Sequence, residues 1–358
     1  MSLHGIYTNN DSRQISVRTE LAGRLRTDHM ERYRAVPKTV MINQWTDDLD
    51  WIIVDETYPE QIARRRELLQ QRLPMLIDRL PGEIVQKAER ELLDTIVDYL
   101  LNRYPEYFSR EGNLLFSLLT GMVIDVSPQG ADPLVAVALL ASEDMLILLP
   151  EKHGPQGDSA YKLMAGALLF PNDWALRSHF ALPRPSGDDH AALQAWEQAK
   201  RKSEKAARLG KTPYEIHDGH VEHYMENFAS RVDMFMSQMR PGMRVWRRNW
   251  GMRLTDELCL HSDSPPESLP EATADNWERY GYLRSEHEAF IKLPESGAVV
   301  FSIKTYMWKL SELVKNRPAL EALVTANANL APKMFDYRAE SLPTFREFLL
   351  RHARLLQE

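Results

Sequence analysis

From Gly82 to Arg103 apolar residues recur at steps of three and four, at Val85, Ala88, Leu92, Ile96 and Tyr99, which aligns them along one stripe of a helix. That helix is expected to stop at Arg103-Tyr104-Pro105, because proline disfavours the helical conformation in the residue before it. A preceding helix is expected from Glu60 to about Arg72, with Pro81-Gly82 breaking the two apart. Residues 1–56 show no such period. They are polar with scattered aromatics, end in Trp45 and the strand-like Trp51-Ile52-Ile53-Val54, and read as an extended N-terminal arm.

Between 113 and 172 short apolar runs alternate with turn signals: Leu114 to Val126, Leu134 to Leu140, Met145 to Leu149 and Tyr161 to Phe170. This is the pattern of successive strands, with room for one buried helix. At 186–211 the composition turns to Ala, Lys, Glu and Gln, with opposite charges at helical spacing, and predicts a solvated helix inserted at the surface. Strand character returns at Val245–Leu254 and Ala298–Tyr306. Between them, Leu283 to Leu293 reads as a charged helix leading into the Pro294–Gly297 turn. Helices are expected near 317–327 and 342–356. Helices flanking a mostly antiparallel sheet define an α+β fold.

Composition narrows the function. The formal charge of −7 comes from 44 basic and 51 acidic residues that are interspersed, so no basic stripe favours nucleic acid. The longest apolar run, Leu134 to Ala141, is far short of the ~20 residues of a membrane span. The N-terminus lacks a basic stretch followed by an apolar core, so a cytoplasmic location is expected. The single cysteine, Cys259, excludes an internal disulfide and the four thiolates of an iron–sulfur cluster. Electrons for any redox chemistry must then come from elsewhere.

Three segments carry candidate chemistry. His217, His220 and His223 fall at steps of three, along one side if that stretch is helical, and imidazole suits a metal ion or a haem iron. Gly219 weakens a stiff helix there. In Arg244 to Trp250, strand alternation turns Arg247 and Asn249 to one side and Trp246, Arg248 and Trp250 to the other. The first side can offer forked donors to carboxylates. The third segment runs from Leu283 through Glu286, His287 and Glu288 to Tyr306. Gly210-Lys211-Thr212 ends like a phosphate-binding loop but lacks the first glycine, which would fall at Lys205.

At these residues the chain resembles the haem-dependent oxidative N-demethylase family. The landmarks are Leu100-x-x-Arg103-Tyr104-Pro105-x-x-Phe108, Glu143-Asp144, Phe170-Pro171-x-x-Trp174, Ile216-His217 and Arg247-x-Asn249-Trp250. They continue with Leu283-Arg284-x-Glu286, Leu293-Pro294-x-Ser296-Gly297 and Phe301-x-Ile303-x-Thr305-Tyr306, and span about 60–312. The resemblance implies a PAS-like fold around haem b, oxygen activation at its iron, and removal of a methyl group from a small secondary amine such as dimethylamine. Electrons would come from a separate flavin and ferredoxin-type reductase. Residues 57–316 would form the catalytic region, with the charged insertion at about 186–211, and 317–358 the C-terminal helices.

The chain departs from the family pattern in three places. Asp218-Gly219-His220-Val221-Glu222 replaces a proline–valine–proline turn, Glu286-His287-Glu288 replaces Glu-Arg-Gln, and His179 stands where a lysine is usual. By this resemblance His217 is the expected ligand of the haem iron, with His220 as the alternative. Arg247 and Asn249 are expected at the propionates or the oxygen-binding side, and Glu286 as counter-charge to a protonated amine, since a buried ammonium needs one. Lys304 is a further cofactor-binding candidate and Tyr306 a further catalytic one. A Cys259 thiolate would be another possible iron ligand, although its Leu258-Cys259-Leu260 setting reads as a packed position. Two rival classes share the fold: a haem-binding sensor or carrier without turnover, and a haem-free binding protein.

Overall fold

The computed structural model describes residues 3–8, 18, 20–25, 43–44, 50–152, 159–186, 189–217, 229–264, 266, 268–328 and 342–354. Its N-terminal part opens with strand β1 (Ile6–Thr8) and β2 (Asn43–Gln44). Helix α1 (Tyr58–Leu76) has a proline in its first turn and buries Tyr58, Ile62, Arg65, Leu69, Leu73 and Leu76. It runs four residues past the expected end. Arg72, at φ −138° and ψ 22°, absorbs the kink required by Pro74, which lacks an N–H for the helical ladder. Strand β3 (Ile77–Arg79) follows directly. Helix α2 (Glu83–Arg103) ends where Pro105 predicts, and Gly82 at its entry takes φ 156°.

Strands β4 (Phe108–Glu111), β5 (Leu114–Ser117) and β6 (Met122–Asp125) join β1 in a small antiparallel sheet of order β1-β6-β5-β4. The apolar run after it is the buried helix, α3 (Pro133–Leu140), capped by the Asp132 carboxylate on the amides of Leu134 and Val135. It is apolar on every side because it is buried on every side.

The remaining elements in chain order are β7 (Asp144–Lys152), β8 (Ser159–Ala167), β9 (Asn172–Trp174), α4 (His190–Ala206), α5 (Pro213–His217) and α6 (Ala229–Gln238). Then come β10 (Arg244–Arg253), β11 (Leu260–His261), α7 (Ala274–Tyr280), β12 (Tyr282–Lys292), β13 (Val299–Lys309), α8 (Leu310–Leu313), α9 (Arg317–Ala328) and α10 (Leu342–Arg354). The main sheet has the order β2-β10-β12-β13-β7-β8-β3 and is antiparallel throughout, while β9 and β11 form a short parallel pair. The fold is therefore α+β with mostly antiparallel sheets. Among the described residues no helix is long and apolar enough to cross a membrane.

Two expectations are corrected. Leu283 to Leu293 is not a charged helix but the central strand β12, hydrogen-bonded to β10 and β13 and buried at every position from Leu283 to Lys292. Its charges resemble a helix surface in sequence, but on the strand Glu288 meets Arg247 of β10 and Arg284 pairs with Glu286 along β12 itself, and tertiary context overrides local propensity. Trp51 to Val54 is not a strand either. It is an irregular segment laid into the core with all four side chains buried. Side chains satisfy its backbone: Trp51 N donates to Tyr99 Oη at 2.9 Å, Ile53 N to Glu143 Oε1 at 2.9 Å, and Tyr104 Oη to the Ile52 carbonyl at 2.9 Å.

The sheet separates two packing regions. Its back face, which carries Ile147, Ala289, Ile291 and Val300, packs against α1, α2 and α3, and farther along through Leu283, Tyr306 and Trp308 against α7, α9 and α10. Its front face, with Leu146, Leu148, Val245, Phe290, Val299 and Ile303, packs against Phe235, Met236 and Met239 of α6 and the turn after it.

Candidate functional site

Strand register places the candidate residues. On β10 and β12, Arg247 lies opposite Glu288, and Asn249 opposite Glu286. On β13, Ile303 lies opposite Glu288 and Thr305 opposite Glu286, so these positions share the front face. Lys304 and Tyr306 are the alternate positions and face the back.

On the front face five polar side chains form two groups, Arg247 with Glu288, and Arg284 and Asn249 with Glu286. Arg247 Nε donates to Glu288 Oε2. Arg284 Nε donates to Glu286 Oε1 at 2.8 Å, and Asn249 Nδ2 to Glu286 Oε2 at 3.1 Å. Arg284 is anchored further by the carbonyls of Leu258 at 2.9 Å and Phe170 at 2.6 Å. Both Glu286 oxygens are therefore occupied, and its carboxylate is fixed in place although it is 7% exposed. Burial pushes the Glu288 carboxyl above its ordinary range, and Glu286 adds to that shift, while Arg247 pulls against it. Two carboxylates against two guanidiniums make the group formally neutral.

Beside this border lies the apolar band. Phe290 and Phe301 stack at 4.5 Å, and Phe235 of α6 meets Phe290 edge-on at 5.8 Å. Helix α5 packs against β8 and α6. His217 is its last residue, whereas His220 and His223 lie outside the described residues. Among the described residues no group of three or more His, Cys, Asp or Glu is placed to hold a metal ion.

Lys304 and Tyr306 belong to a different, fully buried network. Lys304 Nζ donates to Ser142 Oγ at 2.6 Å and lies 3.7 Å from Asp55 Oδ1, and Tyr306 Oη donates to Asp55 Oδ2 at 2.7 Å. Burial alone would raise the Asp55 carboxyl, but the Lys304 ammonium and hydrogen bonds from Thr57 and Tyr306 outweigh it and hold the group low. The fold thus brings Arg247, Asn249 and Glu286 together and sets Lys304 and Tyr306 on the other side of the sheet. Cys259 is a core residue whose thiol burial pushes up to about 11. His287 also points backward, with its ring 5.5 Å from Trp246. Of the replacements at 287 and 288, only Glu288 changes the front face.

Sequence reasoning missed Arg284 and Glu288 as members of the site. The period-two alternation of β12 was the available signal, since it sets Arg284, Glu286 and Glu288 on one side.

A mostly antiparallel α+β protein with a charged, buried border beside an apolar band is a candidate ligand-binding or catalytic domain. The family model described as "Haem-dependent oxidative N-demethylase, alpha subunit-like" matches residues 43–184 and 203–343, most of the chain, and the protein belongs to this family. The matched regions include His217, Arg247, Asn249, Glu286, Lys304 and Tyr306, and leave out 185–202, which holds most of α4.

Proposed function

We propose that the chain is the haem-carrying subunit of an oxidative N-demethylase, PAS-like in fold and cytoplasmic, acting on a small secondary methylamine such as dimethylamine. The observation that carries this reading is Glu286, a buried carboxylate held by Arg284 and Asn249 at the border of an apolar sheet face. Family membership supplies the class of chemistry.

The residues suit a porphyrin. The band of Leu146, Leu148, Val245, Phe290 and Phe301, packed under Phe235, Met236 and Met239, would give a flat macrocycle an apolar wall between the sheet and α6, and Arg247 stands at its border. His217, at the end of α5, is the proposed iron ligand, with His220 as the alternative. One cysteine cannot make the two thioether links of a c-type haem, in keeping with haem b. Haem supplies an iron that activates oxygen. Glu286 holds the amine by charge, Asn249 keeps that carboxylate oriented, and the Phe290–Phe301 stack excludes water from the methyl groups.

The balanced reaction takes dimethylamine, O2, two electrons and two protons to methylamine, formaldehyde and water. The electrons come from a separate flavin and ferredoxin-type reductase, in keeping with an alpha-subunit-like chain that has a partner subunit and a single cysteine.

The test is the absorption spectrum of protein from haem-supplemented cells, compared with His217→Ala and titrated with dimethylamine. A Soret band lost or shifted in the variant, perturbed by the amine, and accompanied by formaldehyde on addition of reductase supports the reading. Haem binding with no amine response points to a sensor or carrier, and colourless protein that refuses haem overturns the reading.

A further inference from the structure

Lys292, the last residue of β12, faces the front of the sheet two positions beyond Phe290, and is 9% exposed. Its Nζ donates to Tyr161 Oη on β8 and sits 4.6 Å from the centre of the Tyr161 ring. Other buried cations of this chain meet a carboxylate: Arg65 pairs with Asp144, Arg284 with Glu286 and Lys304 with Asp55. Lys292 meets a phenol, and among the described residues no carboxylate pairs with it. An ammonium removed from water without a counter-charge is costly, so a buried lysine in this setting is suited to an anion brought by a ligand.

Its position indicates which ligand. The apolar band runs from Lys292 and Tyr161 at one end to Arg247, Glu288 and Glu286 at the other. At the Lys292 end, Leu163 N donates to the Lys211 carbonyl at 3.0 Å and Gly210 N to the Leu163 carbonyl at 2.7 Å. These bonds tie the segment entering α5, the helix that ends in His217, to β8 two residues from Tyr161. A phenol that accepts from Lys292 still has its own proton to donate, so the two side chains present an ammonium and a hydroxyl donor side by side.

We propose that Lys292 and Tyr161 form a carboxylate-binding site at the α5 end of the front face. The inference rests on the haem reading above. Two ligands there carry a carboxylate: the propionate of the porphyrin, and an amine substrate that is itself an N-methylated amino acid.

The experiment titrates haem and haem dimethyl ester, whose propionates are capped, into the haem-free full chain, for wild type, Lys292→Met, Lys292→Arg and Tyr161→Phe. A propionate site gives wild type a preference for haem over the ester of about tenfold or more, the value of a charge-assisted hydrogen bond. Lys292→Met then loses that preference, Tyr161→Phe reduces it and Lys292→Arg keeps most of it. Unchanged ester affinity in Lys292→Met shows that the variant is folded. A substrate carboxylate instead leaves the haem preference intact, and Lys292→Met abolishes the spectral response of the haem-loaded chain to sarcosine while sparing that to dimethylamine. Lys292→Met with wild-type behaviour in both titrations overturns the site. A wild-type chain that takes up no haem overturns the functional reading; calorimetric titration of that chain with acetate, with and without Lys292→Met, then decides the carboxylate site by itself.

Discussion

Arg247 on β10 lies directly across the strand pair from Glu288 on β12, and its Nε donates to that carboxylate. The Glu288 side chain is 4% exposed and that of Arg247 31%, so the acid depends on the pair more than the base does. Removing the base leaves an uncompensated buried charge.

Arg247→Met should therefore destabilise the fold by roughly 2–4 kcal/mol, near the lower part of the range for broken buried pairs because Arg247 is partly solvated. Glu288→Gln should cost less, and the double substitution Arg247→Met with Glu288→Met less than Arg247→Met alone. The pH dependence follows from the sign of the shift. Glu288 already sits above its usual range through burial, and losing Arg247 raises it further. The Arg247→Met deficit should thus be larger at pH 8 than at pH 5, where the acid can take up a proton. Urea unfolding of the four proteins at both pH values measures this; a single-variant deficit within 0.5 kcal/mol, the scale of ordinary surface changes, would show the pair to be dispensable.

Glu143 gives a second pH effect. Its Oε1 accepts from Ile53 N, and burial, opposed by Lys304 and that amide, pushes the carboxyl up to about 7 from 4.5. Between those values the folded state binds the proton and the unfolded state does not, so stability falls as pH rises through the window. The loss for a shift of this size is roughly 3 kcal/mol. Glu89, also pushed to about 7 by burial, acts in the same direction. Asp55, held low, loses its contribution only below its ordinary 3.8, outside this window. Glu143→Gln should flatten part of the slope in denaturation midpoints between pH 4.5 and 8, and an unchanged slope would assign it to other groups.

Much of this frame was legible in the sequence. The 3.6-residue period of 82–103 and the stop at Pro105 match α2, and the alternation of Arg247 and Asn249 against Trp246 and Arg248 holds on β10. What was not legible depended on partners distant in the chain. Arg284, Glu286 and Glu288 read as a charged helix, because nothing local shows that Glu288 is compensated by Arg247 on β10, or that Arg284, paired with Glu286 along β12, is anchored by the backbone carbonyls of Phe170 and Leu258. Trp51 to Val54 has strand-like composition, yet its amides go to Tyr99 and Glu143 instead of a neighbouring strand. Tyr306 closes a family landmark and Lys304 stands at an unspecified position within it, but only the pairing of β12 with β13 reveals that they face away from Glu286.

Cys259 offers a rapid check of the core. The residue is 4% exposed and burial pushes its thiol up to about 11, so at pH 8 it should be both inaccessible and protonated. Ellman's reagent should label it within minutes only after denaturation. Fast stoichiometric labelling of native protein would contradict this packing.

The two faces of the sheet make separable predictions for Glu286 and Tyr306. Tyr306→Phe removes the donor to Asp55 Oδ2, a 2.7 Å bond in a buried network, and leaves a carboxylate oxygen short of a partner. It should cost roughly 1–3 kcal/mol of stability, while haem uptake and the amine-induced spectral change stay as in wild type. Glu286→Gln keeps the shape and the contact with Asn249 but removes the negative charge from the front face. The now-unbalanced Arg284 repels a cation, so the response to dimethylamine should require at least tenfold more amine, with the Soret band retained. Raising the pH should narrow that gap, because a larger fraction of neutral amine has no need of the counter-charge. The reverse result, with Tyr306→Phe silencing the amine response and Glu286→Gln sparing it, would place the substrate on the back of the sheet beside Asp55 and Lys304.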